Sequence, residues 1–245
     1  MRAVIVIGLA TIGTLAGTCA VACRSAGPAE ATADPRRASA TDWAGLRKPR
    51  PAGNPAALAP VTKNTWVLHI GDSFVDASLE QNLGPRFRAM GANYVVESAT
   101  ATYTTTWASD PALDRWLARR PSLVLVTLGA NEVAMPSPAE HAAPIERLVR
   151  KIAAAGAACV WTSPPMWRKD TGILQVIHDH SAPCLFFDSD AVLGGLSAEE
   201  RQRDGIHPNE KGGARWSEAL WRWLLDHRDP TRPGFKLQPF ELRGA

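Results

Sequence analysis

Residues 123–129, LVLVTLG, form a continuous apolar run rich in β-branched side chains, without the apolar–polar alternation of a half-solvated strand. A strand of that kind is buried on both faces, and such strands belong to parallel sheets covered by helices. Four shorter strands accompany it: TWVLHI, a short apolar run, at 65–70, NYVVES at 93–98, ACVWTS at 158–163 and CLFFDS at 184–189. Helical spacing falls between them. Leu79 and Leu83 open the first such stretch, which is disturbed at Gly84-Pro85, resumes through Phe87 and Met90 and closes at Gly91. PALDRWLARR, residues 138–155, TGILQVIHDH and residues 210–227 follow, the last with Trp216, Leu220, Trp223 and Leu224 as its stripe. Five alternations of strand and helix predict a doubly wound, flavodoxin-like α/β domain: a five-stranded parallel sheet with helices on both faces. In such sheets the chemistry lies beyond the carboxyl ends of the strands.

With 45% hydrophobic residues and nine Trp, the chain cannot be a disordered one. Its formal net charge is +3, with Lys and Arg scattered. Without a basic stripe to neutralise phosphates, nucleic-acid binding is set aside. Ahead of the domain, residues 3–23 carry no charge and follow Arg2, the pattern of a secretory signal. Ala20-Val21-Ala22 fits signal-peptidase cleavage, Cys23 resembles the acylated cysteine of a bacterial lipoprotein box with Cys19 as a weaker choice, and an uncleaved anchor is the third reading. Each predicts export, either membrane-anchored in the cell envelope or secreted. Residues 24–63, rich in Ala and Pro, read as a flexible linker. Residues 64–228 then form one domain and 229–245 a tail.

Three strand ends carry reactive side chains. Gly71-Asp72-Ser73-Phe74 follows the first strand and opens a helix, where a serine is exposed and its own N–H faces any anion forming nearby. Gly129-Ala130-Asn131-Glu132 follows the third strand and brings an amide donor. Asp204-Gly205-Ile206-His207-Pro208 precedes the last helix, so that an imidazole can take the serine proton while an aspartate three residues earlier fixes its tautomer. Singly, Ser73 reads equally as a helix cap and His207-Pro208 as a helix start.

GDSF, GANE and DGIHP in this order resemble the SGNH (GDSL-type) hydrolase superfamily over about residues 65–226. The resemblance implies an ester hydrolase with Ser73 as nucleophile, His207 as general base and later acid, and Asp204 as its orienting partner. It also implies an oxyanion hole made of the Ser73 N–H, a backbone N–H after the second strand and the Asn131 amide, with neither metal nor cofactor. Two departures stand out. The family's glycine after the second strand is missing from ATATYTTTW, so Thr102 takes its place, and Glu132 stands where Asp is commoner, a change expected to alter a loop more than the chemistry.

Trp107, Met166, Trp167 and Tyr103 fall on loops at the same strand ends, either to stack on a sugar ring or to pack those loops onto the core. His178 and His180, two apart on a helix, diverge and do not suggest a metal site. Cys159 and Cys184 open strands expected to be neighbours, so they form either a disulfide or two buried thiols. The resulting expectation is an exported esterase cleaving a short O-acyl group, acetyl in the first place, from a carbohydrate or cell-envelope glycan. Lysophospholipase or long-chain esterase, O-acyltransferase and non-catalytic glycan-binding lipoprotein are the alternatives.

Overall fold

A computed structural model describes residues 65–229, 231–232 and 235–237. The expected leader at 1–23 and linker at 24–63 lie outside the described residues, as does most of the tail. Five strands, β1 (Trp66–Gly71), β2 (Asn93–Ser98), β3 (Leu123–Thr127), β4 (Ala158–Thr162) and β5 (Leu185–Phe187), form one sheet in the order β2-β1-β3-β4-β5. Every pairing is parallel. The register sets Gly71 beside both Ser98 and Thr127, so β1, β2 and β3 end level with one another. The segments after these three strands therefore emerge at one edge.

Alternation along each strand divides the core into two apolar layers. Leu68, Ile70, Val124, Val126 and Trp161 face the layer covered by α2 (Thr104–Ser109), α3 (Pro111–Leu117), α4 (Ala142–Ala154) and α5 (Ile173–His180). Val67, Leu123, Leu125 and Val160 face α1 (Glu80–Ala89) and α7 (Glu210–His227). The short α6 (Ser189–Leu193) follows β5. The expected stripes are the buried ones: Ile145, Leu148, Val149 and Ile152 on α4, and Trp216, Leu220 and Leu224 on α7, where Trp223 is only partly covered. Burying such a side chain contributes roughly 1.5–3 kcal/mol.

Several local expectations are corrected. Gly84-Pro85 does not interrupt α1, which runs through Pro85; the irregularity comes earlier, as a π-helical turn at Val75–Leu79. Residues 138–155 divide into a 3-10 turn, Pro138–His141, followed by α4. The stretch containing Trp107 is helical, although its three threonines carry weak helix propensity. The domain also continues past residue 228: Phe235 is fully buried beside Phe87 and Trp221, and Arg228 forms a β-bridge with Leu237.

Cys159 and Cys184 are joined as a disulfide at the amino ends of β4 and β5, opposite the edge where the motifs emerge. His180 Nδ1 pairs with Glu146 and His178 Nδ1 with Asp179. Among the described residues no helix is long and apolar enough to cross a membrane.

Candidate active site

The close of β1 depends on Gly71. A Cβ there would run into the Thr127 carbonyl and Val75, and that carbonyl accepts the Asp72 N–H at 3.2 Å. Beyond it the chain turns into a helix, with Asp72 Oδ1 accepting the Phe74 N–H at 3.0 Å as a cap does. Ser73 sits in this first turn, half-buried, just ahead of the π-helical turn. Turns of that type are frequent at functional sites.

On the far side of the cleft, residues 201–209 present His207. Its Nε2 lies 2.8 Å from Ser73 Oγ and its Nδ1 2.7 Å from Asp204 Oδ2. With the Nδ1 proton donated to Asp204, Nε2 accepts from the serine hydroxyl. Asp204 Oδ1 accepts from the Ile206 and His207 N–H groups. The bond from His207, followed by that from Ile206, lowers the Asp204 pKa to about 2, so it stays ionised as the imidazole gains a proton. Asn209 caps α7 by accepting the Gly212 N–H, which anchors the loop on its other side.

Two features that hold this loop were not legible in the sequence. The buried Arg201 guanidinium donates to the carbonyls of Ile206 and Met166 at 2.6 Å each, and more distantly to Pro165. It thereby ties the triad loop to the segment after β4. Phe74, fully buried, packs against the His207 ring at 5.0 Å and stacks on Trp167 at 5.5 Å. Trp167 thus shares the Phe74 ring with the imidazole, and Trp167 and Met166 are both half-buried. Trp107 is not: it is only 1% exposed, its indole N–H donates to Thr102 Oγ1, and it offers no ring face to a substrate. Tyr103 is half-buried at the N-cap of α2.

Asn131 reaches the same edge and donates Nδ2 to the Thr102 carbonyl at 2.8 Å. Its nitrogen also lies 3.4 Å from Asp72 Oδ2, outside the range of a good bond. Burial pushes the Asp72 pKa up to about 7, against the opposing effect of the Phe74 N–H. Thr102 is held three ways, since its hydroxyl also donates to the Ala99 carbonyl at 2.7 Å. Just before it, Ala101 has φ of 57°, a left-handed conformation that costs an L-residue about 1–2 kcal/mol. The missing glycine has its conformational counterpart at Ala101, one residue before the position the alignment suggested.

Glu132, expected to alter a loop more than the chemistry, is completely buried, and its Oε1 accepts the Thr104 N–H at 2.6 Å. Burial raises its pKa, with the Thr104 N–H acting against the shift. The departure from Asp was the sequence signal for this contact, because the longer side chain spans to α2.

A serine hydroxyl bonded to an oriented imidazole, at the carboxyl edge of a doubly wound sheet, is the arrangement of an α/β serine ester hydrolase, and this chain is one. The profile of the GDSL-like Lipase/Acylhydrolase family matches residues 69–215, and the chain belongs to that family. Among solved structures it is similar to the psychrotrophic esterase EstA from Pseudoalteromonas sp. (21% identity, TM-score 0.52, covering 66% of this chain and 99% of that one). It is also similar to a carbohydrate esterase family 3 protein from Talaromyces cellulolyticus (17%, 0.53, 66% and 96%) and to an acetyl esterase mutant with acetate ion (17%, 0.53, 66% and 96%). At these identities the likeness is one of fold. No curated protein matches the sequence.

Proposed function

We propose that Ser73, His207 and Asp204 form the catalytic triad of an exported esterase that removes a short O-acyl group, acetyl in particular, from carbohydrate or a cell-envelope glycan. The observation that carries the triad is the unbroken series of 2.8 Å and 2.7 Å contacts from Ser73 Oγ through His207 to Asp204. His207 Nε2 takes the hydroxyl proton as Oγ attacks the acyl carbon. Negative charge then collects on the former carbonyl oxygen, beside the Ser73 N–H and the second, weakly held N–H of Asn131. The backbone N–H groups of the Ala101–Thr102 turn are the third source of donors. His207 next protonates the leaving alcohol, and a water activated by the same nitrogen releases the acid from the acyl-enzyme.

Three observations support the finer reading. Trp167, partly buried, stacks on the same Phe74 ring that packs against His207, which leaves it near enough to contact a sugar ring in the site. The Cys159–Cys184 disulfide suits an oxidising compartment, which fits export behind the leader-like residues 1–23. A carbohydrate esterase and an acetyl esterase are among the proteins that share the fold. The test is hydrolysis of nitrophenyl esters of increasing acyl length by wild type and Ser73→Ala. Serine-dependent turnover confined to acetyl and propionyl is expected. Turnover rising with chain length would replace this reading with a long-chain esterase, and unchanged turnover by Ser73→Ala would remove the nucleophile assignment.

A further inference from the structure

We propose that Glu132 is a positioning residue for the oxyanion site, pinning the start of α2 so that the strained Ala101–Thr102 turn stays against Asn131. The proposal rests on the reading of that site given above. Glu132 lies beyond contact with the reacting atoms and acts through the backbone it holds.

Burying a carboxylate carries a large desolvation cost, which is offset only where the group is well bonded. Glu132 is fully buried, yet its Oε2 has no hydrogen-bond partner among the described residues. Its other oxygen makes one short contact, to the Thr104 N–H, and lies 3.7 Å from His141 Nδ1. His141 Nδ1 is in turn 2.7 Å from Thr104 Oγ1, so both groups converge on the first residue of α2. The neighbouring side chain, Asn131, holds the Thr102 carbonyl. Two adjacent residues of one loop therefore grip the 102–104 segment at both ends.

That grip falls where it is needed. A left-handed alanine persists only when its surroundings over-determine it. If α2 drifts, the Thr102 carbonyl leaves Asn131, and the amide and the turn's own N–H groups lose their aim together. An oxyanion forms only as the transition state is approached, so misplaced donors lower kcat and spare KM.

The experiment compares kcat and KM for Glu132→Ala, Glu132→Asp and Glu132→Gln on nitrophenyl acetate, alone and combined with Asn131→Ala. Removing one donor outright costs about 10²–10³-fold in rate, so displacement should cost roughly 10–100-fold in kcat, with KM within about twofold. Glu132→Asp, too short to reach Thr104, should resemble Glu132→Ala; it carries the test if the alanine variant does not fold. Glu132→Gln retains an oxygen at the same reach and should stay within about threefold of wild type. In the Asn131→Ala background the Glu132→Ala or Glu132→Asp change should add clearly less than it costs alone, because only the turn's own N–H groups are then left to displace. Wild-type kcat in folded Glu132→Asp, or a loss of full size in the Asn131→Ala background, would overturn the proposal. Ser73→Ala in the same assay separates the two ideas: if it abolishes turnover while the Glu132 variants behave as wild type, the triad stands and only the positioning role falls.

Discussion

Reduction of the Cys159–Cys184 disulfide should weaken the fold without altering the chemistry. The two cysteines are 25 residues apart in sequence. On the loop-entropy account, opening a closed loop of that length returns about 3.5 kcal/mol of freedom to the unfolded chain. A domain of roughly 165 residues unfolds with an entropy of about 0.35 kcal/mol per kelvin near its midpoint, so the loss corresponds to a fall in Tm of about 10 °C. The bond closes the amino ends of β4 and β5, and β5 is a three-residue edge strand held to the sheet by β4 alone. Ser73, Asn131 and His207 lie at the other edge, so kcat per folded molecule at 25 °C should not change. Thermal unfolding and nitrophenyl acetate turnover, each with and without reductant, provide the assay, with thiol titration of the denatured protein to show that the bond has opened. Complete reduction with an unmoved Tm would refute the stabilising role. A fall in kcat at a temperature where the reduced protein is still folded would refute the separation of the two sheet ends.

Gly71→Ala should destabilise by about 1–3 kcal/mol, because the added methyl meets backbone and cannot be accommodated by a rotamer change; a Tm equal to wild type would show that β1 can shift freely. Asn131→Ala should lower kcat about 10²–10³-fold while stability falls by no more than about 1 kcal/mol, read from initial rates beside urea unfolding. His69, buried on β1 between the Tyr94 hydroxyl and Thr127 Oγ1, has its pKa lowered by burial to about 3 from 6.5. Its contribution to stability is therefore full above pH 6.5 and lost as pH falls toward 3, by roughly 2–3 kcal/mol between pH 7 and pH 4.5. Urea unfolding at those two pH values should show His69→Gln losing less than wild type by that amount, and equal losses would remove His69 as a cause of acid sensitivity.

The sheet and its order were legible because both rest on properties that a sequence displays directly. A strand covered on both faces cannot alternate, and residues 123–127 do not; a helix resting on such a sheet must carry a stripe, as residues 210–227 do. The meeting of Ser73, His207 and Asp204 was legible for a related reason, since these residues stand immediately after a strand or before a helix, where the topology fixes their position. The local misses arise where tertiary contacts override propensity. The threonines of α2 form a helix because Glu132 takes the N–H of Thr104 and Trp107 anchors the turn from the core. Trp107 reads as an exposed aromatic only while that segment is taken for a loop. Arg201 gives no sequence signal, because its partners are backbone carbonyls and any residue type supplies those.

Three of the costs in this fold gather at one edge. Asp72 is buried with its pKa pushed up, Glu132 is buried with one oxygen unpartnered, and Ala101 occupies a left-handed conformation, all beyond the carboxyl ends of β1, β2 and β3. The other edge is closed by a covalent bond, and the layers between are mainly apolar, with His69 bonded to Tyr94 and Thr127 as a buried polar exception. Such a division is what preorganisation requires, because donors aimed at a charge that exists only in the transition state have nothing to bind in the resting enzyme and must be held by their surroundings. Asp72 shows how close the balance is. By accepting the second N–H of its helix it turns the backbone so that Ser73 leads into the cleft, yet its other oxygen stops at 3.4 Å from Asn131. A full bond there would occupy the N–H proposed for the oxyanion, so the incomplete contact leaves Asn131 oriented by Thr102 with that N–H still able to donate.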